Sequence, residues 1–177
     1  MTTYQYPDTP AGEEITEAML QSTLPIFIEK TDTVGRGNVT LAADVDLVLP
    51  VPANSRWWIE MHLIVSGNNT AKIKTDWSVP AGTAGNRRCF GPASNAATQT
   101  DADSTTGRFG VHGFGTAIAY SLPRNAANLF SQMEEKAIVA VGTSAGAITL
   151  RWAQNVADAV NLTFVQPGSL IKAYRLA

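Results

Sequence analysis

The stretch AITLRWAQNVADAVNLTFVQPGSLIKAYRLA, residues 147–177, decides the fold class of this chain. Apolar side chains recur at every second position through Leu150 and Trp152, which is the pattern of a half-buried β-strand. A polar connection leads to a second strand through Phe164, and the pair Pro167-Gly168 signals a turn before a closing strand. The end of the chain therefore predicts β-sheet structure.

Two segments upstream repeat this period of two. In residues 56–65, Trp57 and the alternate positions after it share one face, while Trp58 and the positions between them share the other. In residues 71–79, Trp77 falls on the face predicted to point inward and Asp76 on the outward face. Shorter strands are predicted at residues 39–42, 47–51, 87–90 and 137–141 and within the glycine-rich residues 107–122. The links at residues 67–69 and 142–146 are predicted to be hairpin connections between neighbouring strands.

The N-terminal residues differ from the rest of the chain. Residues 1–12 contain aromatic residues and prolines without a period, so they are predicted to form an extended arm. One helix is predicted at residues 16–23, because Thr16 can cap its free amides and Ile15 can pack against Leu20. Two helical turns are not stable alone in water, so this helix must rest on the domain or on a neighbouring subunit. The residues expected to serve attachment or a subunit interface are Tyr4, Tyr6, Pro7, Met19, Leu20 and Trp58.

These elements predict an all-β protein. Many short strands, frequent turn signals and one small helix indicate an antiparallel β-sandwich with jelly-roll or Greek-key connections. A chain of 177 residues with an apolar fraction of 45% can bury one core, so a single sandwich domain is expected at residues 31–177. Residues 1–30 form the predicted N-terminal arm with its short helix. Residues 81–106 are poor in large apolar side chains and are predicted to be mostly an exposed excursion.

Charge and cysteine content exclude several classes of partner. Charged residues make up 16% of the chain and the net charge is −2, so no field attracts nucleic acid. The single cysteine, Cys89, cannot form an internal disulfide; a partly buried thiol is expected, and an interchain bridge stays open. Residues 1–14 have neither a basic nor an apolar region of the kind found in signal peptides, so no signal peptide is expected, and no apolar stretch reaches the roughly 20 residues that span a bilayer. A soluble protein without a membrane partner is therefore expected.

No set of residues predicts catalysis, a metal site or a cofactor. His62 and His112 are far apart in sequence and lie in no ligand motif, so solvent-exposed or interface roles are expected for both. The acidic pairs Glu13-Glu14 and Glu134-Glu135 are more simply explained as solvated charges than as the two carboxylates of a glycosidase. Residues 142–146 lack the spacing of a nucleophile elbow and are better explained as a turn. An enzyme is therefore not expected.

The tryptophans divide into core and surface. Alternation places three of the four inward, where each would bury on the order of 150–250 Å². The predicted core residues are Trp57, Trp77, Leu150, Trp152 and Phe164. Trp58 points away from Trp57 and is the one aromatic side chain predicted to be exposed, either for a subunit interface or for stacking on a sugar.

The same segments carry a family resemblance. LRWAQN, residues 150–155, followed by a Pro-Gly turn and by GSLIKAYRLA at residues 168–177, resembles the C-terminus of many small virion proteins and minor tail proteins of phages that infect actinobacteria. The resemblance continues in TLAADVDLVLPVPANSRWWIEMHLIVSG, residues 40–67, and in WSVPAG, residues 77–82. Residues 86–103 match nothing in that pattern, so any specificity is expected in that stretch. These motifs are structural, so they indicate a protein family better than they indicate a reaction or a ligand.

The resemblance implies a non-enzymatic structural protein of a tailed-phage particle, either a minor tail component or a capsid decoration protein. It implies attachment through the N-terminal arm to other virion proteins, synthesis in the host cytoplasm and a final location in the virion. A homo-oligomer is expected, and the expected oligomer is a trimer. The alternative is a host-recognition module at the tail tip that binds cell-wall glycan through residues 81–106 and Trp58.

Overall fold

The computed structural model describes residues 12–93, 107–122 and 126–177. Tyr4, Tyr6 and Pro7 of the predicted arm lie outside these ranges, as do residues 94–106 of the predicted excursion. The described elements are α1 (Glu17–Ser22), β1 (Ile26–Glu29), β2 (Val34–Arg36), β3 (Ala42–Val51), β4 (Arg56–Gly67), β5 (Ile73–Ser78), β6 (Ala84–Pro92), β7 (Gly107–His112), β8 (Ile118–Tyr120), β9 (Ala126–Ala140), β10 (Gly146–Ala153), β11 (Thr163–Val165) and β12 (Leu170–Arg175).

Two antiparallel sheets form the body. The large sheet has the order β1-β12-β4-β9-β6-β7, and β11 joins it by pairing with β4 and with β2. The small sheet has the order β3-β10-β5-β8. One hydrophobic core takes buried side chains from both sheets, so the predicted all-β, sandwich-like architecture with one short helix is confirmed. The jelly-roll or Greek-key form of its connections stays a prediction.

The links between strands correct two predictions. Residues 68–72 lead from β4 in the large sheet to β5 in the small one, and residues 141–145 lead from β9 to β10 in the same way. Both were predicted to be hairpins, but they connect strands of different sheets. A short polar link between two alternating segments indicates a turn and contains no information about which strands pair. At the first link, Gly67 and Lys72 adopt positive φ angles of 151° and 59°, and Asn68 Oδ1 accepts a hydrogen bond from the Ala71 amide at 2.6 Å.

Strand β3 contains the strand predicted at residues 47–51, but of the strand predicted at residues 39–42 only Ala42 belongs to it. Its pairing with β10 shifts register between Thr149 and Arg151. The Asp44 carboxylate accepts hydrogen bonds from the amides of Asp46 and Leu47 at 3.0 and 3.1 Å. This bulge interrupts the alternation of apolar residues, which is why the sequence pattern does not extend the strand from residue 47 back to Ala42.

The core contains most of the side chains predicted for it. Trp57, Trp77, Leu150 and Trp152 are all buried. Phe164 requires a correction, because Thr163 and Val165 of β11 are buried while Phe164 between them is half-buried. The Phe164 ring lies over Gly35 of β2, where a Cβ atom on Gly35 would approach Phe164 Cε1 to 2.6 Å. The aromatic ring therefore covers a glycine on the outer side of the sheet.

Asp76 requires a second correction. It was predicted to point into solvent, but only 1% of it is exposed. Arg151, its cross-strand neighbour on β10, donates a hydrogen bond from Nε to Asp76 Oδ1 at 2.8 Å and a second from Nη2 to Oδ2. Asp76 therefore points away from the core, as its strand position predicts, but it is still buried because Arg151 covers its carboxylate.

Candidate functional site

The large sheet presents a continuous outer face, defined here by the side chains of β12, β4, β9, β6 and β7 that point away from the core. Antiparallel pairing aligns these side chains in rows across the strands. The three central rows are Tyr174-Trp58-Ile138-Asn86, Lys172-Glu60-Lys136-Arg88-Val111 and Leu170-His62-Glu134-Phe90-Phe109. Aromatic and charged groups therefore stand side by side on one broad surface.

Trp58 lies in the first row of the outer face and is half-buried. Its cross-strand neighbours are Tyr174 on one side and Ile138 on the other. The Arg88 guanidinium lies over the indole, with its Cζ atom 5.9 Å from the ring centroid. Burial favours a higher pKa for the Glu60 carboxyl, but a hydrogen bond from Trp58 and the charge of Lys136 outweigh it and lower this pKa. The indole is thus held in place by polar neighbours.

Charged groups fill the centre of the outer face. Lys136 Nζ lies 3.0 Å from Glu134 Oε2 and 3.4 Å from Glu60 Oε1. His62 Nδ1 lies 3.2 Å from Glu134 Oε1 and His62 Nε2 lies 3.8 Å from Glu60 Oε2, so His62 belongs to this partly exposed network. The hydrogen bond to Lys136 is the main cause that lowers the pKa of Glu134. Charges of both signs are therefore paired on this part of the face.

An apolar patch occupies the β6–β7 end of the outer face. The rings of Phe90 and Phe109 meet edge to face, with centroids 5.9 Å apart. Phe109 is 78% exposed and its neighbour Val111 is 66% exposed. The sequence does not predict this patch, because the alternation of Phe109 and Val111 does not show whether their face of the strand is buried or exposed. His112 of the same strand lies over Gly110 on the other side of the sheet.

The N-terminal segment exposes a second apolar surface. Helix α1 matches the predicted helix, with the Thr16 hydroxyl accepting a hydrogen bond from the Met19 amide at 3.2 Å. Met19 is half-buried, but Leu20 is 58% exposed and Leu24 is 63% exposed. Phe27, on β1, is also exposed. The chain thus carries large apolar side chains on a short helix and on the strand that follows it.

A buried polar cluster joins the two sheets behind the outer face. Glu135 of β9 has no exposed area, unlike its sequence neighbour Glu134, so only one member of the predicted solvated pair is solvated. Its carboxylate accepts hydrogen bonds from four side chains of both sheets, at 2.9 Å from the Tyr120 hydroxyl, 2.6 Å from the Trp77 indole, 2.5 Å from Arg87, and from the Thr75 hydroxyl.

This cluster has a structural role. Burial, followed by the charge of Glu135, raises the pKa values of Tyr120 and of the Cys89 thiol. Both groups are therefore neutral at ordinary pH and enclosed by the core. The sequence offered one signal for the site, because Glu135 shares the inward parity of Met133 and Ala137 on its strand. A charged residue at an inward position predicts a buried partner.

Neither a cluster of metal ligands nor a helix that could span a membrane occurs among the described residues. Across residues 12–93, 107–122 and 126–177, no group of three or more His, Cys, Asp and Glu residues is placed to hold a metal ion. Within the same ranges, no helix is long and apolar enough to cross a lipid bilayer.

Comparison with known proteins gives little further information. No protein-family model matches the chain. No curated protein matches it either. Among solved structures, the chain is similar to the tripod (BppUct-A-L) from the baseplate of bacteriophage Tuc2009, with 10% sequence identity and a TM-score of 0.35. The match covers 98% of this chain and 76% of that chain. An identity and a TM-score this low establish neither a shared fold nor a shared function.

Proposed function

We propose that this protein is a non-enzymatic structural component of a tailed-phage particle, either a minor tail component or a capsid decoration protein. In this proposal its N-terminal segment attaches the β-sandwich to another virion protein, and its location is the virion. The sequence motifs that resemble phage virion proteins support the class of protein. The exposed apolar N-terminal segment supports the mode of attachment.

The exposure of Leu20 and Leu24 is the observation that carries this proposal. A helix of six residues has too few hydrogen bonds to be stable alone, so it depends on packing against another surface. Complete burial of a leucine side chain contributes about 1.5–3 kcal/mol. Binding through both leucines would therefore stabilise the helix and attach the protein at the same time. None of the described strands includes either residue, so the sandwich does not need them for its own pairing.

Reconstitution of phage particles tests this mode of attachment. Purified protein would be added to particles that lack it, and the bound fraction would be measured by sedimentation. We expect the double variant Leu20→Asp, Leu24→Asp to lose at least tenfold in affinity, since it places charges at the contact. Val160→Asp is the matched control, because Val160 is 89% exposed on a loop of the sandwich. Binding of the double variant at wild-type affinity would exclude attachment through α1.

The second candidate is a host-recognition module that binds cell-wall glycan. Trp58 favours it, because a half-exposed indole beside Tyr174 and between charged groups is the kind of surface on which a sugar ring stacks. Titration with host wall polysaccharide, followed by the shift in the temperature of thermal unfolding, tests this candidate. Trp58→Ala should abolish a saturable signal.

Phe130→Ala is the control for that titration. Phe130 is exposed and belongs to the same strand as Ile138, the cross-strand neighbour of Trp58. Eight positions separate the two along β9, which corresponds to about 26 Å at ~3.3 Å per residue. Equal loss of binding in both variants would exclude a site at Trp58.

A further inference from the structure

The edges of the two sheets differ in how they are protected against further pairing. Exposed edge strands pair readily with other chains unless they are short, bulged or interrupted by proline. Among the described edges, β3 contains Pro50 and a bulge, while β2 and β8 have three residues each. Strand β1 has four residues and directly follows Pro25. Each of these edges therefore carries at least one protective feature.

Strand β7 lacks all of these features. Its six residues, Gly107–His112, contain no proline, and their register with β6 is unbroken from Arg87↔His112 to Pro92↔Gly107. Within the described residues, no strand pairs with its other side. Its outward side chains, Phe109 and Val111, are the most exposed apolar residues of the large sheet's outer face at 78% and 66%. Among the described residues, an edge that is neither short, bulged nor interrupted by proline thus coincides with an apolar patch, and Arg108 is the only Lys, Arg, Asp or Glu residue of β7.

From this coincidence, we infer that β7 binds β7 of a second copy of this chain, so that the large sheet continues across a two-fold axis. Two-fold contacts use the same surface on both subunits and are the commonest symmetry of homo-oligomers. A strand at the edge of an antiparallel sheet becomes antiparallel to its own copy under such a rotation, so the ladder of hydrogen bonds continues without a change of pattern.

The side chains select one register for this pair. Antiparallel pairing centred on Gly110 places Phe109 of each copy opposite Val111 of the other, so all four apolar side chains form cross-strand pairs on the outer face. Aromatic and β-branched residues in such pairs contribute to sheet stability. Pairing centred on Phe109 would instead oppose Val111 to Gly107, which has no side chain to pack. The composition of β7 therefore favours Gly110 at the axis over Phe109.

Sedimentation equilibrium over the micromolar range tests the contact. We expect the wild-type chain to form a dimer and the double variant Phe109→Lys, Val111→Lys to weaken self-association at least tenfold. Both positions are exposed, so the substitutions leave the core intact. Val45→Lys is the matched control, because Val45 is also 66% exposed and lies on edge strand β3. A wild-type monomer, or any oligomer that the double variant leaves unchanged, would overturn the inference.

Cysteine substitution tests the register separately. Directly opposed residues of antiparallel strands are close enough for a disulfide, and the native Cys89 is buried and does not interfere. Gly110→Cys, made together with His112→Ala because the His112 imidazole occupies the space of the new Cβ atom, should give a covalent dimer under mild oxidation. Gly115→Cys, in open space beyond the strand, should not. Cross-linking of Phe109→Cys in preference to Gly110→Cys, or an oxidised trimer, would contradict the proposed two-fold pairing.

Discussion

Arg87 Nη1 lies 2.5 Å from Glu135 Oε2 in the centre of the core, and neither side chain has any exposed area. The pair belongs to adjacent strands of the large sheet, while Thr75, Trp77 and Tyr120 of the small sheet also donate to Glu135. Arg87 Nη2 reaches further, to the carbonyl oxygens of Thr75 and Thr116 at 3.1 and 2.5 Å. Because these hydrogen bonds join side chains of both sheets, the network fixes the position of one sheet relative to the other.

Removal of the Glu135 charge should be strongly destabilising. In Glu135→Gln the buried Arg87 guanidinium loses its compensating charge, and breaking a buried ion pair in this way costs about 3–5 kcal/mol. Glu134→Gln is the adjacent control, since Glu134 takes part in a partly exposed ion pair, and pairs near the surface are worth about 0–1 kcal/mol. Urea unfolding of both variants measures the difference. Similar losses in the two variants would mean that Glu135 is not the anchor of the cluster.

The sequence predicts some parts of this fold better than others. Alternation locates β4 and β5 and assigns Trp57 and Trp77 to the core, because a period of two records which face of a strand is buried. The same pattern does not show which strands are hydrogen-bonded neighbours. The links after β4 and β9 therefore resemble hairpins in the sequence, although each connects strands of different sheets. The pair Glu134-Glu135 indicates two solvated charges by its composition, and only the strand parity of Glu135 distinguishes the buried member from the solvated one.

The candidate surfaces show the same limit. Alternation places Trp58 on the outer side of β4, and the residues around it become evident only when the register brings Tyr174 and Arg88 to the same place. These neighbours lie on β12 and β6, far from Trp58 in sequence. Exposure of Phe109 likewise depends on β7 being the last strand of the sheet, and strand order cannot be read from the period of a single strand.

The Asp158 carboxyl should make stability depend on pH in the acid range. Hydrogen bonds from the backbone amide and then the side chain of Asn161, together with one from Asn68, lower its pKa to about 2. Since the unfolded value is about 3.9, this group stabilises the fold above that pH, and the contribution is lost as the pH falls through the folded pKa. Asp158→Asn should therefore flatten the decline of Tm in this range. Asp32→Asn, at an exposed position, is the control, and an equal change there would contradict the assignment.

Arg151 should matter more than its exposed position suggests. Its side chain is 37% exposed, but Asp76 beneath it is only 1% exposed. Arg151→Met would leave the Asp76 carboxylate shielded from water without a partner, which costs about 1–3 kcal/mol. Adding Asp76→Asn should recover part of the loss, because the buried group then carries no charge. Chemical denaturation of the single and double variants measures this coupling, and no recovery would mean that Asp76 keeps access to water.

Trp152 combines packing with polar contacts, and two substitutions separate these contributions. Its indole Nε1 donates to Asp44 Oδ2 at 3.0 Å, Asp44 is paired with the buried Lys30 at 3.0 Å, and Arg36 Cζ lies 4.0 Å from the ring centroid. Trp152→Ala leaves a cavity and should cost about 3–5 kcal/mol in urea unfolding. Trp152→Phe keeps an aromatic face under Arg36 but removes the donor to Asp44, so a loss of about 1–3 kcal/mol is expected. If the phenylalanine variant unfolds as easily as the alanine variant, the hydrogen bond to Asp44 outweighs the packing of the ring. If the alanine variant loses less than about 1 kcal/mol, Trp152 does not have the core role that its burial indicates.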